Sequence, residues 1–277
     1  MYVFKKKLFA VLFLIILFVY SGINLAHSYN EISKSVAYRL NNGNKPAEII
    51  ASASNEINEE LIGRMNFVEF YAYLQRLMDK REISNFSYIK DENGFLHYSS
   101  FYKNDDPDIF EYAKRIKKLK DFVEVNGTKV IFVTAPSKYI EGVTPLREGL
   151  KANDPRPQTQ KLLFYLGRLG VDTLDLGEYI PDARLSYDDA FFKTDHHWTA
   201  PAAFEAAKIV ANELNERFGA GLDMSYLSDD RYTSLTYNNG MLGSMGRKTG
   251  ANFCGLEDFT AIWPDDDTTI YTRDCLE

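Results

Sequence analysis

The chain has 277 residues, 45% of them apolar and 14% aromatic, and a formal net charge of −7. That length and composition can bury a real core, as one large domain or two small ones. An acidic balance without a broad basic face excludes nucleic acid as the natural partner.

The first segment, "MYVFKKKLFAVLFLIILFVYSGINLAHSYN", places Lys5, Lys6 and Lys7 before an apolar run from Leu8 to about Ala26. A helix of that length spans about 28 Å, close to the ~30 Å hydrocarbon core of a bilayer. The lysines should stay in the cytoplasm and send the rest of the chain outside. A cleaved signal peptide is the competing reading, but Asn24, two residues before Ala26, makes a poor small-x-small site. A buried core helix fits badly, because the run is apolar on every side with a basic front edge. The expectation is an uncleaved anchor over 1–27 in a bacterial cell membrane, with the bulk of the chain extracytoplasmic.

Residues 28–85 read as a polar stalk with some helical character, passing into an amphipathic stretch around Phe67–Met78. In "IKDENGFLHYSS", Asn93-Gly94 between short apolar runs predicts a hairpin turn, with His97 a strand residue in its second arm. From Asp108 to Val125 the apolar spacing is helical, and Asn126-Gly127 is a stop. "KVIFVTAPSKY" then predicts a buried strand ending in the loop Pro136-Ser137-Lys138. The unit repeats: a helix over Thr159–Leu169, a stop at Gly170 and a strand at Val171–Leu176. A helix over Ala200–Phe218 follows, with Thr199 as its N-cap and Pro201 in its first turn. Beyond Asp223 the tail reads as loop-rich, with "NNGMLGSMGRKTGA" and a late strand at "TTIYT". Alternating strands and helices imply an α/β fold, a three-layer sandwich around a parallel sheet, over residues 86–277. Ligands would bind off the carboxyl ends of its strands.

Chemistry concentrates in "FFKTDHHWTAPAAF". Two of the four histidines, His196 and His197, stand together there, after Asp195 and before Trp198. Adjacent histidines in an extended segment point to opposite sides, which argues against one ion held by both. Asp-His-His strings also occur in DHH-type phosphoesterases, but Asp172, Asp175, Asp188 and Asp189 lack a defensible ligand spacing. Asp195 and His197, two apart, would share a side if the loop is extended. That suits a carboxylate orienting an imidazole that acts as general base on a serine. The bland alternative is that Asp195 caps the turn and His197 packs on Trp198. Cys254 and Cys275, the only cysteines, could pair outside the cell, but sequence does not establish the bond. Neither sits in a C-x-x-C pair that would hold a metal.

"KTDHHWTAPAAFEAA" resembles the signature of the DHHW family, extracytoplasmic proteins similar to the SGNH-hydrolase-like domains of the alginate O-acetylation machinery. "GFLHYSS", "VIFVTAPSKY", "VDTLDL" and "GSMGRKTGANF" follow the order seen in that family, so the likeness runs from about Ser87 to Asp267. The resemblance implies a permuted SGNH-like sheet in which Asp195 and His197 are the acid and base of a Ser-His-Asp triad. It makes His196 a neighbour of that pair, Trp198 a support beneath the loop, and Lys138 the lysine of a loop on the substrate side.

The family places its nucleophile in a Gly-Asp-Ser turn well after the histidine, and that string occurs nowhere in this chain. The expectation is a chain truncated before the nucleophile, with an α/β domain incomplete at its C-terminus and inactive as it stands. Ser244, between Gly243 and Met245-Gly246, lacks the strand and helix of a nucleophile elbow. Ser137 adjoins Lys138 in a geometry unsuited to a Ser-Lys dyad. A glycine-rich substrate-side loop and a strand-end loop are their better readings. The implied activity is that of an O-acetyltransferase or O-acetylesterase on a cell-surface polysaccharide. It needs no cofactor and no metal, and an integral-membrane O-acyltransferase is the possible partner. The alternative is a non-catalytic glycan-binding or assembly module of a cell-envelope system.

Overall fold

The helix that carries the apolar segment at the start of the chain continues well past the length a bilayer needs. In the computed structural model, which describes residues 2–101, 108–179 and 186–265, α1 runs unbroken from Tyr2 to Asn41. Among the described residues it is the one helix long and apolar enough to cross a membrane by length and composition. The chain divides into two compact units, Met1–Phe70 and Tyr71–Glu277.

In the first unit the expected stalk is a helical hairpin. Gly43 takes a left-handed φ of 69°, and α2 (Pro46–Glu59) turns back along α1. Polar groups stitch the contact: the hydroxyls of Ser35 and Ser52 meet at 2.5 Å. Further down, Asn24 Oδ1 accepts the amide of Ile62 at 2.7 Å, and the Tyr20 hydroxyl donates to Ile62 O at 2.7 Å. A buried amide side chain in an apolar helix costs little once its donor and acceptor are both satisfied, and Asn24 Nδ2 reaches Tyr20 O. The next helix, α3, spans Arg64–Leu77.

The second unit opens with a meander of three short antiparallel strands, β1 (Glu82–Ile83), β2 (Tyr88–Lys90) and β3 (Leu96–Tyr98). The predicted Asn93-Gly94 turn joins β2 to β3, with Gly94 at φ 90° and Asp91 exchanging bonds with Gly94 and Phe95. Alternation sends Ile83, Tyr88 and Leu96 into a core with Ala72 of α3, Met245 and Phe253.

The two αβ units follow. α4 (Ile109–Glu124) is capped by the Asp108 carboxylate and stops ahead of Gly127, at φ 81°. It leads to β4 (Ile131–Thr134), then α5 (Arg156–Arg168), Gly170 at φ 74° and β5 (Asp172–Asp175). β4 and β5 pair in parallel, Ile131 with Asp172 through Thr134 with Asp175. Phe132 faces Ala113, Ile116 and Leu166 of α4 and α5. Ile131 and Val133 face the other way, toward Leu174 and Ala206 of α7 (Ala200–Phe218). Helices thus cover both faces of the pair.

A larger parallel sheet is not what the described residues form. They make separate small sheets: the antiparallel meander, the parallel β4–β5 pair and an antiparallel ribbon. That ribbon lies in the tail expected to be loop, and consists of β6 (Tyr232–Met241) and β7 (Glu257–Pro264). Runs such as "RYTSLTY" and "DFTAIW", rich in β-branched and aromatic residues, carried that signal. The expected strand "TTIYT" and Cys275 lie outside the described residues. Short helices α6 (Tyr187–Ala190), α8 (Ser244–Thr249) and α9 (Ala251–Cys254) complete the unit. The Cys254 thiol donates to Gly250 O at 3.3 Å.

Candidate active site

The loop between α6 and α7 is closed at its base by its own backbone. Thr199 N donates to Ala190 O at 2.9 Å, Phe192 N to His197 O at 3.2 Å, and Phe191 bridges Trp198. The Thr199 hydroxyl accepts the amide of Ala202, so the N-cap of α7 also fixes the loop's exit. Half-buried Trp198 packs between Phe95, Phe191 and Ala202 on one side and Leu174 and Ala206 on the other. Residues 193–197 form the bent tip.

That bend overturns one expectation. The segment is not extended, and His196 and His197 do not diverge: their ring centroids are 3.8 Å apart. Asp195 and His197 are brought together by a different cause from strand alternation. Asp195 Oδ1 accepts the backbone amide of His197 at 3.0 Å, a turn closed by the aspartate side chain. The same oxygen then meets His197 Nδ1 at 2.6 Å. His197 is two-thirds exposed along its side chain while Asp195 is almost wholly buried. Among the described residues no hydrogen bond reaches His197 Nε2, which leaves that nitrogen open to solvent or substrate.

Asp195 is held from two further directions. Oδ2 accepts the amide of Ser244 at 2.5 Å, and its backbone carbonyl accepts Lys138 Nζ at 2.7 Å. Burial pushes its pKa up, but the amides and side chains of Ser244 and His197 outweigh that and hold the carboxyl well below its ordinary range. Lys138 also donates to Lys193 O at 3.1 Å. Burial of its ammonium outweighs the nearby carboxylates of Glu257, Asp91 and Asp195, and lowers its pKa from 10.5 to about 7. Lys138 therefore clamps the loop from beneath.

His196 is half-exposed, with Nδ1 3.2 Å from Ser244 Oγ and 3.4 Å from Asp195 Oδ1. Partial burial and the adjoining His197 lower its pKa. Ser244 stands at the first position of α8 and touches His196, not His197. Its amide serves Asp195 more directly than its hydroxyl serves either imidazole. The Ser137 hydroxyl donates to Tyr139 O at 2.9 Å and so belongs to its own loop. Donor atoms of Asp195, His196 and His197 lie within 4.8 Å of one another, the spacing of a metal cluster. Both oxygens of Asp195 are already engaged, however, by His197 and by the Ser244 amide. An ion there would have to displace the bonds that shape the loop.

Several supporting residues carry no signal in the motif itself. Glu257, at the start of β7, accepts the amides of Lys193 at 2.5 Å and Thr194 at 2.7 Å, and also the Thr194 hydroxyl. Thr194 in turn accepts Gly243 N at Oγ1 and Gly246 N at its carbonyl, both at 2.8 Å. A Cβ on Gly243 would sit 2.6 Å from Thr194 O and 2.5 Å from Asp195 Cβ, so only glycine admits this approach. The spacing Gly243-Ser-Met-Gly246 was visible in the sequence, but its partner was not.

Comparison with known proteins returns solved structures at low identity. Bacillus cereus PatB1 shares 19% identity at a TM-score of 0.48, covering 65% of this chain and 59% of its own. The O-acetyltransferase domain of Pseudomonas putida AlgJ shares 15% at 0.49, covering 65% and 66%. A DHHW family protein from Eubacterium siraeum shares 19% at 0.46, covering 66% and 56%. The chain therefore spans about six-tenths of the length of these structures. No curated protein matches. The family model described as "SGNH hydrolase-like domain, acetyltransferase AlgX" matches residues 91–253, more than half of the chain. That range contains the meander's turn, both αβ units, the Asp195–His197 loop and the glycine turn that supports it. The chain belongs to this SGNH hydrolase-like, AlgX-type acetyltransferase family.

Proposed function

We propose that this protein is a membrane-anchored, extracytoplasmic acyl-transfer enzyme that adds acetyl groups to, or removes them from, a cell-surface polysaccharide. The observation that carries the reading is the 2.6 Å contact of Asp195 Oδ1 with His197 Nδ1, beside an exposed imidazole whose Nε2 has no partner among the described residues. In this reading the Asp195 carboxylate holds the Nδ1–H tautomer, so Nε2 carries the lone pair that takes a proton from a serine hydroxyl. The serine oxygen then bonds the acetyl carbon, and the leaving group departs with the proton returned by His197. A sugar hydroxyl or water afterwards breaks the serine ester. Residues 1–27 would be the anchor, 28–85 the lead-in and 86–277 the SGNH-like domain. An integral-membrane acyltransferase would supply the acetyl group if the reaction is transfer.

The serine is the member that these residues do not supply, since no Gly-Asp-Ser occurs in the chain and no serine hydroxyl is bonded to His197 among the described residues. That observation favours a second reading, a glycan-binding or assembly module that retains the loop without chemistry. Hydrolysis of 4-nitrophenyl acetate by the protein separates the two. His197→Ala is expected to lower turnover by about a thousandfold or more. Equal turnover in the variant refutes the assignment, and absence of any turnover in the wild type favours the module.

A further inference from the structure

The meander carries a second imidazole held by a carboxylate, away from the Asp195–His197 pair. Asp91 is fully buried, and its Oδ1 accepts the amides of Asn93 at 3.0 Å and Phe95 at 2.8 Å. Oδ2 lies 3.0 Å from His97 Nε2, and both side chains are all but inaccessible. Burial pushes the His97 pKa down against the raising effect of that hydrogen bond, so the ring is neutral at neutral pH. A carboxylate accepting at Nε2 fixes the proton there, and the lone pair falls on Nδ1. Among the described residues no hydrogen bond reaches Nδ1.

His97 is nevertheless on a cavity wall. With Tyr98, Ser137, Tyr139, Asn153 and His196 it lines a hollow of about 290 Å³. That is near the lower bound of small-molecule pockets, room for about one sugar ring. The same hollow reaches His196, whose ring lies tilted against that of His197, 3.8 Å away. A ligand seated there lies beside the candidate active loop.

A hydrogen-bond acceptor on the wall, with a carboxylate behind it, selects against a carboxylate or phosphate, which would set lone pairs against a lone pair. It favours a group that donates, such as a hydroxyl. Lys138 also lines the hollow, and two of the three donors of its ammonium are turned to the carbonyls of Lys193 and Asp195. We propose that this cavity binds one neutral, hydroxyl-bearing ring of the glycan, and that His97 is its positioning residue, accepting a ring hydroxyl at Nδ1. The glycan as ligand rests on the function proposed above; the preference for a neutral donor rests on the Asp91–His97 geometry alone.

Binding can be read without turnover, so failure here is separable from failure of the acyl-transfer reading. The probes are cellotetraose, N-acetylchitotetraose and, as the anionic comparison, a galacturonate tetrasaccharide. Each is titrated into the protein and followed by saturation-transfer NMR and by the ¹⁵N resonances of His97. At least one neutral probe is expected to bind and to move the Nδ1 resonance, and His97→Phe to weaken it by about tenfold or more. Asn153→Ala, at another residue of the cavity wall, should weaken it in a protein whose buried pair is intact. It therefore carries the test if His97→Phe does not fold. His197→Ala should keep the binding while losing any esterase activity. The proposal is overturned if no neutral probe binds, if only the galacturonate binds, or if Asn153→Ala and a folded His97→Phe both bind as the wild type does.

Discussion

The backbone amide of Ser244 donates to Asp195 Oδ2 at 2.5 Å, while the other oxygen of that carboxylate takes both the amide and Nδ1 of His197. The carboxylate is thereby fixed at both ends, and the imidazole inherits its orientation from a turn almost fifty residues away in the chain. Each of the following predictions disturbs one support of that arrangement.

Gly243 is the position where Ser244 is delivered. A methyl group there collides with the Thr194 carbonyl and the Asp195 Cβ, and neither is the free end of a flexible side chain. Gly243→Ala is expected to cost about 1–3 kcal/mol and to release the His197 ring. Thermal unfolding and the ¹⁵N tautomer signature of His197 report both effects; a wild-type melt with an unchanged signature refutes the role.

Glu257 gathers two amides and a hydroxyl from Lys193 and Thr194. Glu257→Ala leaves those donors without their acceptor, which costs about 1–3 kcal/mol where the group stays buried. Glu257→Gln keeps one acceptor oxygen and should lose less. Urea midpoints in the order wild type, Gln, Ala are expected, and any other order contradicts this account.

Acid should unfold the protein partly through Asp195. Its folded pKa lies below the ordinary 3.8, so under acid conditions the unfolded chain takes up a proton before the folded one does. Its stabilising contribution is complete above that value and is lost as pH falls below it. Denaturation midpoints measured from about pH 5 to 2 should fall more steeply for wild type than for Asp195→Asn. Parallel slopes would remove Asp195 from the acid limb.

Lys138 gives the opposite limb. With a folded value of about 7 against 10.5 unfolded, the folded state sheds a proton that the unfolded chain keeps. Its contribution grows as pH rises between those values and is lost as pH falls through the lower one. Lys138→Met should therefore lack the alkaline gain in urea midpoint seen in wild type. An equal gain in both would show that another group titrates there.

Local rules made much of this molecule legible. The helix over Ala200–Phe218, its Thr199 cap and the glycine stops at Gly127 and Gly170 follow from neighbours in the chain, and the structure has them where the spacing put them. The partnership of Asp195 with His197 was readable, but for an incomplete reason: side-chain closure of a bent turn, rather than alternation, joins them. The adjoining imidazoles were misread because an extended backbone was assumed for residues that bend. Glu257 and the Asp91–His97 pair were not readable at all. Nothing local to a glutamate before a strand, or to a strand histidine, announces which distant amide or cavity it will meet.

The clamp on this loop also bears on when it can form. Its ties reach across 57 residues to Lys138, 49 to Ser244 and 63 to Glu257. Closing loops of that length costs chain entropy that only the finished contacts return. The α4, β4 and α5 segments can assemble from near neighbours, whereas the Asp195–His197 tip must wait for the glycine turn and β7 to arrive. During synthesis the site takes shape only after Glu257 has emerged from the ribosome.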